Sequence, residues 1–271
     1  MPEAALPFFT RYGFSRTENP DAPLVIEPYP EICTGPALRA TIIASAIDLV
    51  GGLFTREIAG VDALMTSDLS LRIPEPSVPG RLLVHGERIR TGRKLVTTGV
   101  RIEGERAPFA YGETTFVRVH REKEDAPPIE ALETPAVIPN NPLTTPLDQE
   151  VGIQVEREHP GKILLDLRPA LLNPEGIMQG ALVALVVECA ALSLAEGARP
   201  KETPPTARHA VTGLDLRYLS SSSVGPVVGE ACWLGPPRAE MMRVEMRDQG
   251  RANRLTASAL IAVRDLSAPS S

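Results

Sequence analysis

Histidine, aromatic residues and cysteine are all scarce in this chain, and each scarcity excludes a class of chemistry. The four histidines, His85, His120, His159 and His209, are dispersed without metal-ligand spacing, so a zinc site is not expected. Aromatic residues make up 4% and the net charge is −6, a poor match to a nucleic-acid binder, which needs a basic face and stacking rings. Cys33, Cys189 and Cys232 lie far apart and form no CxxC pair. A disulfide framework is therefore not expected, and reduced thiols in the cytoplasm are. There is no glycine-rich nucleotide loop, and the run Ser220–Ser223 lacks the Gly-x-Ser-x-Gly elbow of an α/β-hydrolase. The first residues lack the basic start and apolar run of a signal peptide. One apolar stretch, Gly176 to Leu194, is long enough to suggest a membrane span, but it holds Gln179 near its start and Glu188 near its middle. A central acid in a spanning helix costs roughly 2.5–3.5 kcal/mol, so a helix buried inside a soluble protein is the expectation, with no membrane partner.

What the chain does have is apolar material, 43% of its residues, and a long internal repeat. In the first half the helical run Ala37 to Leu53 is followed by TSDLSLRI at Thr66–Ile73, a Pro/Ser loop, and then RLLVHGERIR, KLVTTGVRIE and AYGETTFVRV. In the second half the run Gly176 to Leu194 is followed by TGLDLRYL at Thr212–Leu219, a Ser loop, and then PVVGEACWL, EMMRVEMRD and RLTASALIAVRD. The segments after each helix alternate apolar and polar residues and are broken by glycine turns, which predicts strands. Strand-like sequence also precedes each helix, at 23–28, 152–156 and 162–168. The chain is expected to divide into an irregular arm (1–22), a first unit (23–121), an exposed joint rich in Pro, Glu, Thr and Asn (122–149), a second unit (150–266) and a tail (267–271).

Each apolar run carries one acid in its middle, Asp48 in AIDLV and Glu188 in VVECA. A buried carboxylate is costly unless paired or functional, although a local hydrogen bond or an exposed helix edge explains either acid alone. Nine residues before each acid stands another polar side chain, Arg39 in the first half and Gln179 in the second. Nine helical positions turn about 180° and rise about 13.5 Å, so residues at that spacing point to opposite sides. In a pair of helices related by a pseudo-twofold axis, Gln179 would instead meet Asp48, and Arg39 would meet Glu188. The segment Asn173-Pro-Glu-Gly-Ile-Met-Gln179-Gly180 leads into the second helix. The free N–H groups of that helix start, near Gln179 and Gly180, form a ready oxyanion site. Asn173 reads equally well as a cap or turn residue.

With Ala181 after it and Glu188 further on, this segment resembles the signature of hotdog thioesterases of the phenylacetyl-CoA thioesterase type. Those proteins usually show Asn-x-x-Gly-x-x-His-Gly-Gly and an acid nine residues after the His. The resemblance extends over both halves, roughly 23–120 and 150–265. It implies an α+β fold of two tandem hotdog domains, each a long central helix wrapped by a curved antiparallel sheet, forming an intramolecular pseudo-dimer. It implies a composite site in which Asn173, Gln179 and Gly180 face Asp48 and Thr66, with Gln179 in place of His. The converse site would pair Glu188 with Arg39 and Ala40. There Cys33-Thr-Gly-Pro-Ala-Leu-Arg39 departs from the pattern: Gly35 is one position out of step, and Val211 stands where the hydroxyl residue belongs, with Thr212 beside it. That second site is expected to be degenerate or to bind without turnover, and a buried Arg39–Glu188 ion pair is the structural alternative.

The implied reaction is hydrolysis of an acyl-CoA thioester, with coenzyme A entering as part of the substrate and no cofactor. Gly180 N–H would hold the carbonyl oxygen, Gln179 would position or polarise it, and Asp48 would serve as general base or nucleophile. Thr66 and Asn173 would orient water or the carboxylate. Arg88, Arg90, Arg93 and Lys94 are candidates for the coenzyme A phosphates, though each is individually more in keeping with a solvated hairpin. A hydratase or dehydratase of the same fold is one alternative, but it needs a His beside the acid. A non-catalytic acyl-CoA binding module is another. Pairing with a second copy through the sheets stays open.

Overall fold

The alternating segments fold as strands and the apolar runs as helices. The computed structural model describes residues 8–16, 22–59, 63–119, 138, 141–173, 175–197, 208–236 and 239–267. In chain order, β1 (Phe14–Ser15) and β2 (Leu24–Ile26) lead through a small ribbon of β3 (Cys33–Thr34) and β4 (Ala37–Leu38) to α1 (Ala40–Ala59). Four longer strands follow: β5 (Ala63–Arg72), β6 (Leu82–Thr91), β7 (Leu95–Glu103) and β8 (Pro108–Val119). The second half holds α2 (Leu147–Val151), β9 (Gln154–Val155), β10 (Lys162–Leu165) and α3 (Gly180–Glu196). It ends with β11 (His209–Tyr218), β12 (Val227–Trp233), β13 (Met241–Asp248) and β14 (Arg254–Asp265).

Twelve strands form one antiparallel sheet in the order β1-β2-β6-β7-β8-β5-β11-β14-β13-β12-β10-β9. Read outward from the β5–β11 seam, the two sides repeat each other: first strand after the helix, then fourth, third and second, then the strand before the helix. Along the seam Arg72 lies opposite Gly213 and Asp68 opposite Arg217. Arg72 binds Asp215 through both guanidinium arms at 2.9 Å, and Arg217 reaches Asp68 at 3.0 Å. These exchanged ion pairs are exposed and set register more than stability.

The sheet curls around two helices that are apolar on nearly every face, the pattern of a helix buried all round. Every residue from Leu182 to Leu192 is buried, and so is almost every residue of α1 as far as Val50. Close approach rests on glycines in the sheet. A Cβ at Gly112 of β8 would lie 2.3 Å from Ile47 Cδ1, and one at Gly229 of β12 would lie 2.8 Å from Val186 Cγ1. Among the described residues, no helix is long and apolar enough to cross a membrane, and no cluster of metal-ligating side chains occurs.

Two expectations need correction. The arm is not irregular over residues 8–16: Tyr12 is fully buried, and β1 pairs with β2, because Phe8, Tyr12 and Phe14 give it an apolar face. The joint is not exposed over its described end. Ile138, Leu143 and Leu147 enter the core, and Leu143 N–H donates to Tyr29 Oη at 3.0 Å. The rest of that joint falls mostly outside the described residues. Helix α3 starts at Gly180, as expected of the free N–H groups there, four residues into the apolar run. The preceding residues form a closed loop in which Leu172 bridges Met178, Asn173 N–H donates to Ile177 O at 2.8 Å, and Gly176 adopts φ +73.

Away from the helix tips, Asp248 at the end of β13 is a buried charge with no exposed surface. Its oxygens accept the N–H groups of Ser223, Val224 and Gly225 at 2.8, 3.1 and 2.9 Å. Burial alone would raise this carboxyl, but the backbone donors outweigh it and hold the group below the usual carboxylate range. A carboxyl depressed in the folded state stabilises above its unfolded pKa, and that stabilisation is lost as pH falls through the folded value. Asp248→Ala is therefore expected to lose about 2–4 kcal/mol at neutral pH, with the gap from wild type closing in strong acid. Urea unfolding of both proteins at several pH values checks this.

Candidate active site

Helices α1 and α3 pack antiparallel, so the tip of each lies beside the middle of the other. Asp48 lies eight residues after Ala40, and Glu188 eight residues after Gly180. Each acid therefore reaches the start of the opposite helix, and there the two ends differ.

At the start of α1, Glu188 fills the tip. It is 1% exposed. Its Oε1 accepts Ala40 N–H at 2.9 Å, and its Oε2 accepts Thr41 N–H at 3.1 Å and the Thr41 hydroxyl. The carboxylate is a helix cap donated by the other half, favoured by the hydrogen bonds and by the positive end of the helix dipole. Arg39 does not pair with Glu188. It turns to Asp148 of α2 at 2.6 Å, with Cys189 Sγ at 3.9 Å from its other arm. The expected Arg39–Glu188 ion pair is thus replaced by Arg39–Asp148, because Glu188 is already satisfied by amides. Burial pushes the Cys189 thiol up to about 12 despite Arg39, so it is no nucleophile at neutral pH.

At the start of α3 the tip is open. Asp48 is one methylene shorter than Glu188, and Thr66 draws it aside by donating its hydroxyl to Asp48 Oδ1 at 2.6 Å. The other oxygen, Oδ2, lies 3.7 Å from where a Cβ on Gly180 would stand. Gln179 is the N-cap residue, yet its side chain makes no cap bond. Burial raises the Asp48 carboxyl above the ordinary range, and the Thr66 hydroxyl partly opposes this, although the residue keeps some exposed surface. Thr66 faces the helix because of a β-bulge. The register with β8 slips between Thr66 and Asp68, which leaves Ser67 unpaired and turns Thr66 to the same side as Leu69 and Leu71. The second half carries a matching slip between Val211 and Gly213, and it turns Val211 inward at the position of Thr66.

Not every candidate residue joins this pair. The Gln179 carboxamide is held by backbone: its Oε1 accepts Phe8 N–H at 3.0 Å, and its Nε2 donates to Ala170 O at 3.3 Å and Leu172 O at 3.4 Å. These contacts fasten the arm and the loop to the helix start, a structural duty beside the expected polarising one. Asn173 Oδ1 accepts Glu175 N–H at 3.0 Å and Ile177 N–H at 3.2 Å, so this oxygen shapes the loop. Arg88, Arg90, Arg93 and Lys94 are exposed on the β6–β7 hairpin. That hairpin ends near the site: Val96 pairs with Phe116, and Phe116 pairs with Thr66, which sets β7, the strand that follows Lys94, two places from Thr66, roughly 10 Å.

The described surface concavities that stand out lie elsewhere, one along β12 and β13 at Glu230 and Arg247, the other over the seam at Arg72 and Met241. Neither includes Asp48.

No family model and no curated protein matches this sequence. Solved structures do match over nearly the whole chain. A candidate thioesterase of Novosphingobium aromaticivorans is similar with a TM-score of 0.59 at 17% identity, covering 93% of this chain and 97% of that one. The TesB protein of Mycobacterium avium subsp. paratuberculosis matches with a TM-score of 0.57 at 11% identity, over 94% and 96%. A hot dog fold protein of unknown function from Alicyclobacillus acidocaldarius matches with a TM-score of 0.54 at 14% identity, over 97% and 98%. The chain is a hotdog-fold protein. In this hotdog protein one residue near the open tip escaped the sequence reading. Tyr218 ends β11 with its hydroxyl 3.9 Å from the Gly180 Cβ position, and it donates to Gly180 O at 3.4 Å. Nothing in the motif marks it, because it belongs to a strand distant in sequence from both helix starts.

Proposed function

We propose that this hotdog protein hydrolyses an acyl-CoA thioester to the free acid and coenzyme A. On this reading the chain holds two tandem hotdog units acting as an intramolecular pseudo-dimer, with one working site between them. The observation that carries it is the open start of α3 beside Asp48 Oδ2, set against the start of α1, which Glu188 caps. The thioester carbonyl oxygen takes the first-turn amides at Gly180, where donors need to lie about 2.7–3.1 Å from the developing oxyanion. Asp48 removes a proton from water as the water oxygen attacks the carbonyl carbon, and Thr66 fixes the carboxylate that does so. The tetrahedral intermediate collapses, the C–S bond breaks, and the proton passes from Asp48 to the thiolate sulfur. The basic hairpin from Arg88 to Lys94 offers the coenzyme A phosphates a charged landing near the site.

Thiol release from acetyl-, hexanoyl-, palmitoyl- and phenylacetyl-CoA tests this. Asp48→Asn is expected to lower kcat about a hundredfold. Release unchanged in that variant removes Asp48 from its role, and no release by wild type from any member of the panel ends the thioesterase reading. Because burial raises the Asp48 carboxyl, and the base must be ionised, kcat/KM is expected to fall toward acid through a value above the ordinary carboxylate range. A pH–rate profile with an acid limb at or below that of a free carboxylate contradicts the assignment.

A further inference from the structure

The two bulged strands give an internal comparison of the two helix tips. Thr66 on β5 matches Val211 on β11, and counting along both strands from their bulges matches Ile73 to Tyr218. Ile73 is 1% exposed hydrocarbon. Each hydroxyl of the open site, Thr66 and Tyr218, thus has an aliphatic counterpart, Val211 and Ile73, in the other half. For Thr66 the reason is on the page: it holds Asp48.

Tyr218 has no such explanation as a structural residue. Its one hydrogen bond among the described residues, to Gly180 O at 3.4 Å, is far longer than the 2.7–2.8 Å typical of O–H···O contacts. A largely buried hydroxyl without a good acceptor costs about 1–3 kcal/mol relative to a satisfied one. Its other close neighbour is the position a Cβ would take at Gly180, which lies 3.9 Å from the Tyr218 hydroxyl and 3.7 Å from Asp48 Oδ2. A donor held at that point lacks an acceptor that a ligand oxygen would supply.

We propose, resting on the thioesterase reading, that Tyr218 is a catalytic residue that donates a hydrogen bond to the thioester carbonyl oxygen, beside the amides of α3. As the water oxygen bonds to carbon, the carbonyl π electrons move onto that oxygen, and the Tyr218 O–H and Gly180 N–H bonds strengthen with its charge. When the carbonyl re-forms and the C–S bond breaks, both donors are left as they began. Tyr218 keeps its proton throughout. This agrees with a phenol whose pKa is raised well above its ordinary value, first by burial and then by Asp48.

The test is Tyr218→Phe, which keeps the ring and removes the donor. With the acyl-CoA that wild type turns over best, kcat is expected to fall about a hundredfold while KM and Tm hold. A second measurement reads the carbonyl directly. In an Asp48→Asn background, the infrared stretch of isotope-labelled hexanoyl-CoA bound to the protein should shift upward when Tyr218→Phe is added. Wild-type turnover with an unchanged kcat in Tyr218→Phe, or a carbonyl stretch unmoved by that substitution, overturns the role of Tyr218 and leaves the thioesterase reading standing. Absence of turnover in wild type overturns the thioesterase reading itself, and the stretch measurement then decides on Tyr218 alone.

Discussion

Gly180→Ala is expected to leave the fold intact and nearly abolish turnover. The added methyl would lie 3.7 Å from Asp48 Oδ2 and 3.9 Å from both Tyr218 Cε1 and its hydroxyl, all ordinary van der Waals distances. Nothing has to move to admit it, and Gly180 is not among the residues with positive φ. Alanine in a helix is favoured over glycine by up to about 1 kcal/mol, so Tm should hold or rise. On the proposed mechanism, the same methyl takes up space beside Asp48 and the helix tip that the carbonyl oxygen and attacking water would use. Displacing both together is expected to lower kcat/KM about a thousandfold, beyond the effect of one lost oxyanion donor. Thiol release and a thermal melt on the same preparation check the two halves of the expectation. Wild-type rates in this variant would place the chemistry somewhere other than the start of α3.

Glu188→Ala is expected to do the reverse, lowering stability while sparing the rate of folded molecules. The substitution leaves the N–H groups of Ala40 and Thr41 and the Thr41 hydroxyl without their acceptor in a fully buried place. The lost cap and the stranded donors together cost about 4 kcal/mol. For a chain of this size that lowers Tm by roughly 10 °C. Glu188→Gln is expected to fall between, since a carboxamide offers one acceptor oxygen and turns an N–H toward the remaining donor. Differential scanning calorimetry gives the loss, and thiol release well below the melt gives the rate. A variant that stays folded with full stability but loses turnover would make Glu188 part of the machinery instead of a cap.

Much of the fold could be read in the sequence because its signals are periodic. The strand segments after each helix agree with the structure to within about three residues, since alternation along Leu82–Thr91 or Arg254–Asp265 directly records which side faces the helices. The pairing of Asp48 with the tip of α3 was legible because two similar acids recur at one spacing in two similar helices. What stayed hidden depends on contacts that spacing does not encode. Arg39 meets Asp148 only because the end of the joint folds back as α2. Gln179 is fastened by the N–H of Phe8, a backbone group with no sequence signature. The fates of the two acids hinge on one methylene, which decides whether a carboxylate touches the amides or stops short of them.

The order of the strands bears on how copies of this protein meet. The sheet ends on β1 and β9, each only two residues long, while the longest strands lie in its interior. A neighbouring chain finds only a two-residue ladder on β1 or β9, and among the described residues the longer open edge belongs to β6, which pairs with β2 only over Leu82–Val84. The outward face of the sheet is the broader apolar surface, with Met241 and Leu260 exposed on it.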